Sequence, residues 1–231
     1  MRNKTFLAII PARKGSKRLP NKNIKELNNK PLIAYTIEAS LKCKYVTKTV
    51  VSTDCENIKR ISLNYGAEVP FLRPNELSLD ETKSIDVITH VINNLKEQYD
   101  YIILLQPTSP LRDHVEIEKA INLLDKKNAD AIISVCETEH NPIWSNTLDH
   151  TKNMENFLDK KFVNSRSQEI KKFYRLNGAI YICKTDILKK QNTLFIDKNI
   201  FAYEMPQEKS VDIDTKLDFI IAEAILNNYE F

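Results

Sequence analysis

The feature that most constrains this chain is a series of short runs, apolar throughout and rich in β-branched residues, separated by segments of helical period. The runs are Thr5 to Pro11, Thr47 to Thr53, Tyr101 to Gln106 and Ala129 to Val135, with later ones at Gly178 to Cys183 and Phe201 to Met205. Continuous apolarity, as opposed to alternation, marks strands covered on both faces, as in a parallel sheet. Between them, Pro31 to Leu41 begins with a proline at a first-turn position, and Glu56 to Tyr65 stops at Gly66. Ser84 to Glu97 sets Ile85, Ile88, Val91, Ile92 and Leu95 on one stripe, and Val115 to Leu124 follows Asp113 as a cap with Glu116 three residues on. Strand and helix in alternation require an α/β fold of three layers with a mainly parallel sheet. A last amphipathic helix is expected over Lys216 to Asn227.

From Glu137 to Lys172 this pattern gives way to polar sequence with isolated apolar residues such as Ile143, Trp144, Leu148, Phe157 and Phe162. Thirty-six residues exceed an ordinary connection, so the segment reads as a functional excursion from a single domain spanning 1–231: a lid, a subunit-exchange arm or a small subdomain.

Glycine narrows the function. Only Gly15, Gly66 and Gly178 occur in 231 residues, where average usage predicts about 16. Three glycines so far apart exclude both the G-x-G-x-x-G fingerprint and the P-loop. With 34 basic and 31 acidic side chains the formal net charge is +3, which implies neither a nucleic-acid nor a membrane partner. Cys43, Cys55, Cys136 and Cys183 form no C-x-x-C pair, so a zinc site or disulfide framework is not expected and a cytoplasmic location is. The N-terminal apolar run is too short for a secretory leader, and no run reaches about 18 apolar residues.

Three constellations carry chemistry. Between Arg13 and Asn23, five cations fall in eleven residues without an acid, directly after the first strand. Ligands of open α/β sheets sit at the carboxyl ends of strands, so this loop is placed for a polyphosphate. Gly15 and Ser16 would let backbone N–H groups face the anion, with Arg13, Lys17 and Lys22 neutralising charge as pyrophosphate leaves. In Ser210 to Thr215, extended alternation would bury Val211 and Ile213 and project Asp212 and Asp214 together. Two carboxylates on one face suit Mg²⁺, while helix capping by Asp214 is the competing reading and Asp54 an outside candidate. In Leu104 to Arg112, Gln106 ends a strand and offers its amide to a cleft, followed by a turn fixed by two prolines; Arg175, Asn177 and Tyr181 surround Gly178. No Ser-His-Asp or Cys-His set is supported, and His90, His140 and Trp144 read as packing or interface residues.

Taken together, Ile10 to Asn23, Val51 to Asp54, Leu72 to Pro74, Leu105 to Leu111, Arg175 to Tyr181 and Ser210 to Asp214 resemble the acylneuraminate cytidylyltransferase (CMP-sialic acid synthetase) family over essentially the whole chain. The resemblance implies a Rossmann-like nucleotidyltransferase fold and a homodimer with an exchanged dimerisation excursion. It also implies Mg²⁺-dependent transfer of CMP from CTP to a nine-carbon 2-keto sugar acid. It assigns Arg13, Ser16, Lys17 and Lys22 to the phosphates, Asn23, Arg73, Thr82 and Ser84 to the cytidine, and Asp212 and Asp214 to the metal. Gln106, Arg175, Asn177 and Tyr181 match positions that meet the sugar acid, and Leu194 and Phe195 a pair given by the partner subunit. Arg13, Lys22, Asp212 and Asp214 are thereby expected to carry the reaction. Two departures fall in the sugar pocket: Arg166-Ser167-Gln168 stands where members often have Arg-Arg-Gln, leaving Arg166 as the candidate for the sugar carboxylate, and Trp144 stands where some sialate-activating members have Lys. The same chemistry on legionaminate or pseudaminate is the nearer alternative. A nucleic-acid-binding protein using the basic loop is the distant one.

Overall fold

The computed structural model describes residues 4–162, 166 and 170–228. Six strands build one sheet: β1 (Phe6–Pro11), β4 (Lys48–Ser52), β5 (Tyr101–Leu104), β6 (Ala131–Glu137), β7 (Tyr174–Lys184) and β8 (Ile200–Glu204), in the order β4-β1-β5-β7-β6-β8. A two-residue-per-strand hairpin, β2 (Glu26–Leu27) and β3 (Lys30–Pro31), stands apart. β1 lies parallel to β4 and β5, and β6 parallel to β8, whereas β7 runs antiparallel between β5 and β6.

Helices α1 (Leu32–Lys42), α2 (Glu56–Asn64) and α4 (His114–Lys126) cover one face, where Ala8 and Ile10 of β1 meet Ile33, Ile37, Ile58 and Ile121. On the other face Leu7 and Ile9 pack with α3 (Ser84–Asn94) and α5 (Thr185–Gln191) through Ile85, Ile88, Val91 and Leu188. The expected three layers are therefore present, and β1 is buried on both sides as its composition required. The last helix, α6 (Lys216–Asn228), closes a third apolar cluster with Leu27, Leu32, Leu111 and Ile213.

The elements differ from the sequence reading in three places. Pro31 is the residue before α1, not within its first turn. α5 was not anticipated, because Leu188 is its one buried residue. β7 starts at Tyr174, four residues before the expected Gly178, and its register against β6 shifts between Ile133 and Val135. This bulge coincides with Gly178, whose φ of +74° is a left-handed conformation that glycine adopts without strain. Elsewhere the glycine-poor chain turns on asparagine: Asn21, Asn28, Asn29, Asn128, Asn156, Asn192 and Asn199 all have positive φ.

Between β6 and β7 the described residues form two short 3-10 turns, Pro142–Trp144 and Lys160–Phe162, with Leu148 and Met154 exposed. No helix among the described residues is long and apolar enough to cross a membrane.

Candidate active site

Parallel strands β1, β4 and β5 point their carboxyl ends at one edge of the sheet, and the basic loop follows β1 there. Two pockets meet at that edge. The larger, of about 380 Å³, is lined by Arg13, Gly15, Ser16, Lys17, Lys22 and Asp214, among others. Its neighbour, of about 220 Å³, is lined by Arg73, Leu77, Thr82, Ser84 and Val87. Pro11, Arg13, Asp80 and Gln106 border both, so they form one continuous cleft. Arg13, Ser16, Lys17 and Lys22, read from the sequence as a phosphate set, line one compartment and Arg73, Thr82 and Ser84 of the nucleoside set line the other, whereas Asn23, expected at the cytidine, lies on the phosphate side. A third pocket, of about 490 Å³, opens beside Tyr99, Asp100 and Lys184, at the opposite end of the strands and away from all of them.

Arg13, Lys17, Arg18 and Lys22 of the loop are engaged in ion pairs. Arg13 Nη2 lies 2.6 Å from Asp80 Oδ1, and Lys17 pairs with the other oxygen of the same carboxylate. Lys22 Nζ and Arg18 Nη2 each lie 2.9 Å from Asp214. Hydrogen bonds from Lys17 first and Arg13 second hold the Asp80 carboxyl below the usual range. Buried Asn23 fixes the loop by donating to the Arg13 carbonyl at 3.0 Å, and its own carbonyl oxygen Oδ1 meets no protein donor. Arg73 is buried with Nε donating to Ser78 Oγ at 3.0 Å; desolvation lowers its pKa, opposed by the Asp54 charge. Gly15 has no atom within 4 Å of where a Cβ would stand and is not in the left-handed region, so the loop does not require glycine there for its shape.

The start of α6 shows that the Asp214 carboxylate is not the cap of that helix. Thr215 N–H and its hydroxyl donate to Asp218 Oδ2 at 2.7 and 2.8 Å, and Asp218 N–H donates back to Thr215 Oγ1. This reciprocal cap leaves the Asp214 carboxylate free of the helix, facing Lys22 and Arg18. Ile213 is buried, and its N–H donates to the Thr108 carbonyl at 2.8 Å, docking the segment on the Gln106 loop. Asp212 keeps one side open to solvent and the other enclosed by protein. Desolvation raises its pKa, Asp214 adds to the rise, and the Thr108 hydroxyl and Lys22 oppose it. Its Oδ2 lies 3.6 Å from where a Cβ on Gly178 would be.

Such a pair fits a small hard cation. It offers carboxylate oxygens only, and like charge against like charge is what a divalent ion relieves. Among the described residues no group of three or more His, Cys, Asp or Glu could hold a metal by itself, so substrate oxygens and water would complete the shell. Asp54 is not part of this pair: its Oδ1 accepts the Lys14 N–H at 2.8 Å in a separate pocket of about 420 Å³ behind the loop.

The residues expected around the sugar divide. Arg175 is held side-on by Glu139, with Nε and Nη2 at 3.1 and 2.5 Å, so its fork already grips a carboxylate. Tyr181 is half-buried with its pKa raised by desolvation and then by Asp212, and its ring meets Phe195 edge-on at 6.2 Å. Asn177 does not line a cleft. It is buried and donates to Ser210 Oγ at 2.9 Å, while its carbonyl oxygen accepts from Ser134 Oγ at 2.6 Å and the Ala179 N–H. It acts as a clamp on the bulge because the left-handed Gly178 turns the chain away after it. Leu194 is likewise buried in its own protomer's core, so of the pair expected to reach a partner only Phe195 is exposed. Arg166 is exposed; Ser167 and Gln168 lie outside the described residues.

Sequence reasoning missed Asp80, Glu139 and Thr108. The first two are single acids in ordinary polar sequence. Thr108 was read as a plain turn residue; the strand before it ends at Leu104 and not at Gln106 as expected, which places Thr108 four residues into the loop.

Comparison with known proteins agrees with this geometry. A family model described as cytidylyltransferase matches residues 7–230. The chain is 33% identical over 227 residues to the CMP-N,N'-diacetyllegionaminic acid synthase of Legionella pneumophila, covering 96% of each. It is 38% identical over 230 residues to the N-acylneuraminate cytidylyltransferase of Escherichia coli O18:K1:H7, of which it spans about half (52%). It is 33% identical over 222 residues to the pseudaminic acid cytidylyltransferase of Campylobacter jejuni, covering 95% of each. A solved CMP:2-keto-3-deoxy-manno-octonic acid synthetase complexed with CTP shares the fold at a TM-score of 0.71 and 19% identity, with 97% of this chain and 99% of that one covered. Sheet, cleft and sequence similarity converge, and the chain belongs to the cytidylyltransferase family.

Proposed function

We propose that this nucleotidyltransferase moves CMP from CTP to the anomeric 2-hydroxyl of a nine-carbon 2-keto sugar acid of the N-acetylneuraminate type, releasing pyrophosphate. The observation that carries the reading is the pair of adjoining pockets: a cation-lined one beside an acidic pair, opening through Arg13 and Gln106 into one floored by Arg73, Thr82 and Ser84. The names of the three relatives, all CMP-transferring or CMP-forming enzymes of acidic sugars, support it.

In this scheme the base and ribose settle against Arg73, Thr82 and Ser84, with Asn23 at the edge of the loop. The triphosphate takes Arg13, Ser16, Lys17 and Lys22 as partners, and the cations stabilise charge as it builds on the leaving pyrophosphate. Asp212 and Asp214 would hold Mg²⁺, which supplies Lewis-acid polarisation of the phosphate under attack. One carboxylate of the pair accepts the sugar hydroxyl proton. Arg175, Arg166 and Tyr181 are assigned to the sugar acid and Gln106 to its junction with the nucleotide. Most of the acceleration comes from positioning and electrostatics. A homodimer in which the 137–172 excursion and Phe195 meet a second copy completes the proposal.

A second reading keeps the chemistry and changes the acceptor to legionaminate or pseudaminate. It is favoured by the two relatives of those names, which match along almost their whole length, and by Trp144 where some sialate-activating members carry Lys. The deciding experiment is pyrophosphate release with CTP, Mg²⁺ and a panel of the three sugar acids. Turnover with N-acetylneuraminate above the other two is expected; turnover confined to either of the others selects the second reading. Asp212→Ala is expected to lower turnover a hundredfold or more, about 3 kcal/mol in the barrier, with folding retained. Near-normal turnover would remove the metal assignment.

A further inference from the structure

Asp80 borders both compartments of the cleft and has no part in the scheme above. It lies in the turn between the 3-10 segment Asn75–Leu77 and α3, and its two oxygens are divided between two cations: Oδ1 to Arg13 at 2.6 Å and Oδ2 to Lys17. Lys22 and Arg18 are matched in the same way by Asp214. The two acids differ in what remains for them once nucleotide enters. Asp214 has a metal to hold, whereas Asp80 occupies, with a single negative charge, the positions on Arg13 and Lys17 that a triphosphate needs.

We propose that Asp80 is an exchange carboxylate that occupies Arg13 and Lys17 between turnovers and must be displaced by any phosphate group that binds them. The inference rests on the assignment of the basic loop to the triphosphate of CTP. A lone phosphate that displaces Asp80 exchanges one bridging anion for another and gains little. A polyphosphate displaces it and also reaches Lys22 and Arg18, gaining contacts that the carboxylate never made. When pyrophosphate departs, Asp80 retakes both cations and opposes its return. The pair is solvent-exposed, so the exchange is weak enough to be rapid and is screened by salt.

Titration calorimetry of orthophosphate and of pyrophosphate, on wild type and Asp80→Asn without metal at low ionic strength, tests this directly. Orthophosphate and pyrophosphate are both expected to bind the variant about threefold to tenfold more tightly, the range set by two exposed ion pairs. High salt erases the difference between variant and wild type. In a Lys17→Ala background the same substitution should have a smaller effect. Unchanged or weaker orthophosphate binding in Asp80→Asn, with its melting temperature retained, overturns the proposal. If wild type binds neither pyrophosphate nor CTP, the functional assignment falls with it; if wild type binds both and the variant tightens neither, only the role of Asp80 falls.

Discussion

Glu116→Gln should destabilise the protein by an amount that depends on pH. Glu116 sits in the first turn of α4 with 1% of its side chain exposed. Its Oε2 accepts the Tyr203 hydroxyl at 2.5 Å, and Oε1 faces Lys119 Nζ at 2.9 Å and Lys209 Nζ at 3.3 Å. Lys209 also lies 2.7 Å from Asp113, the N-cap of the same helix. Removing one partner of a buried ion pair costs about 3–5 kcal/mol. Because Lys209 keeps Asp113 and Lys119 is half exposed, about 2–3 kcal/mol is the better expectation here. For a chain of this size each kcal/mol moves Tm by about 2–4 °C, so the variant should melt roughly 4–12 °C lower. Desolvation would raise the Glu116 carboxyl, but the Tyr203 hydroxyl, Lys119 and Lys209 outweigh it and hold the group below its ordinary value. A depressed carboxyl contributes stability above its unfolded titration range and loses it as pH falls through the folded value. Differential scanning calorimetry should therefore show the full gap at about pH 7 and a closing gap toward about pH 3. Equal melting at neutrality, or a gap unchanged in acid, would refute the reasoning. Since Lys209 lies three residues before Asp212, turnover should fall as well.

Gly178→Ala places a Cβ 3.6 Å from Asp212 Oδ2, a contact without a clash, so its cost is the left-handed backbone, about 1–2 kcal/mol; thermal melts should fall accordingly, and an unchanged Tm would mean that the bulge relaxes. Arg112 is fully buried, donates to Thr36 Oγ1 at 2.8 Å and the Gln106 carbonyl at 3.3 Å, and is pushed by desolvation down to about 10. Burying that charge costs about 3 kcal/mol, much of what its hydrogen bonds return, so Arg112→Met should melt within about 4 °C of wild type while turnover drops as the Gln106 loop loosens. A much larger loss of Tm would show that the charge is compensated. Asp212 supplies an anionic oxygen to the proposed cation site, so Asp212→Asn should raise the Mg²⁺ concentration needed for half-maximal turnover; an unchanged Mg²⁺ dependence would remove Asp212 from that site.

How much of this was legible in sequence depends on whether the cause was local. β1, β4, β5 and β6 could be read because burial on both faces leaves a run dominated by apolar and β-branched residues. β7 was legible only in part: Tyr174 and Leu176 are exposed at its start, and nothing in a strand's own residues sets whether it pairs parallel or antiparallel. The basic loop announced itself by charge density. Asp80 and Glu139, which balance Arg13, Lys17 and Arg175, are each one acid among many, brought into place by the fold of distant segments. Asp214 stayed ambiguous until the position of Asp218 showed which residues cap α6.

The acidic segment also carries a kinetic consequence. Lys22 and Asp214 are 192 residues apart in sequence, and the Ile213 N–H reaches the Thr108 carbonyl across 105. Contacts between such distant parts of a chain bear the largest loop-closure entropy, so they form late in folding and are among the first to open. The sheet can therefore be complete while the cleft is not. Amide exchange along 211–215 should be faster than in β1 or β5, and on warming activity should fade before the fold does.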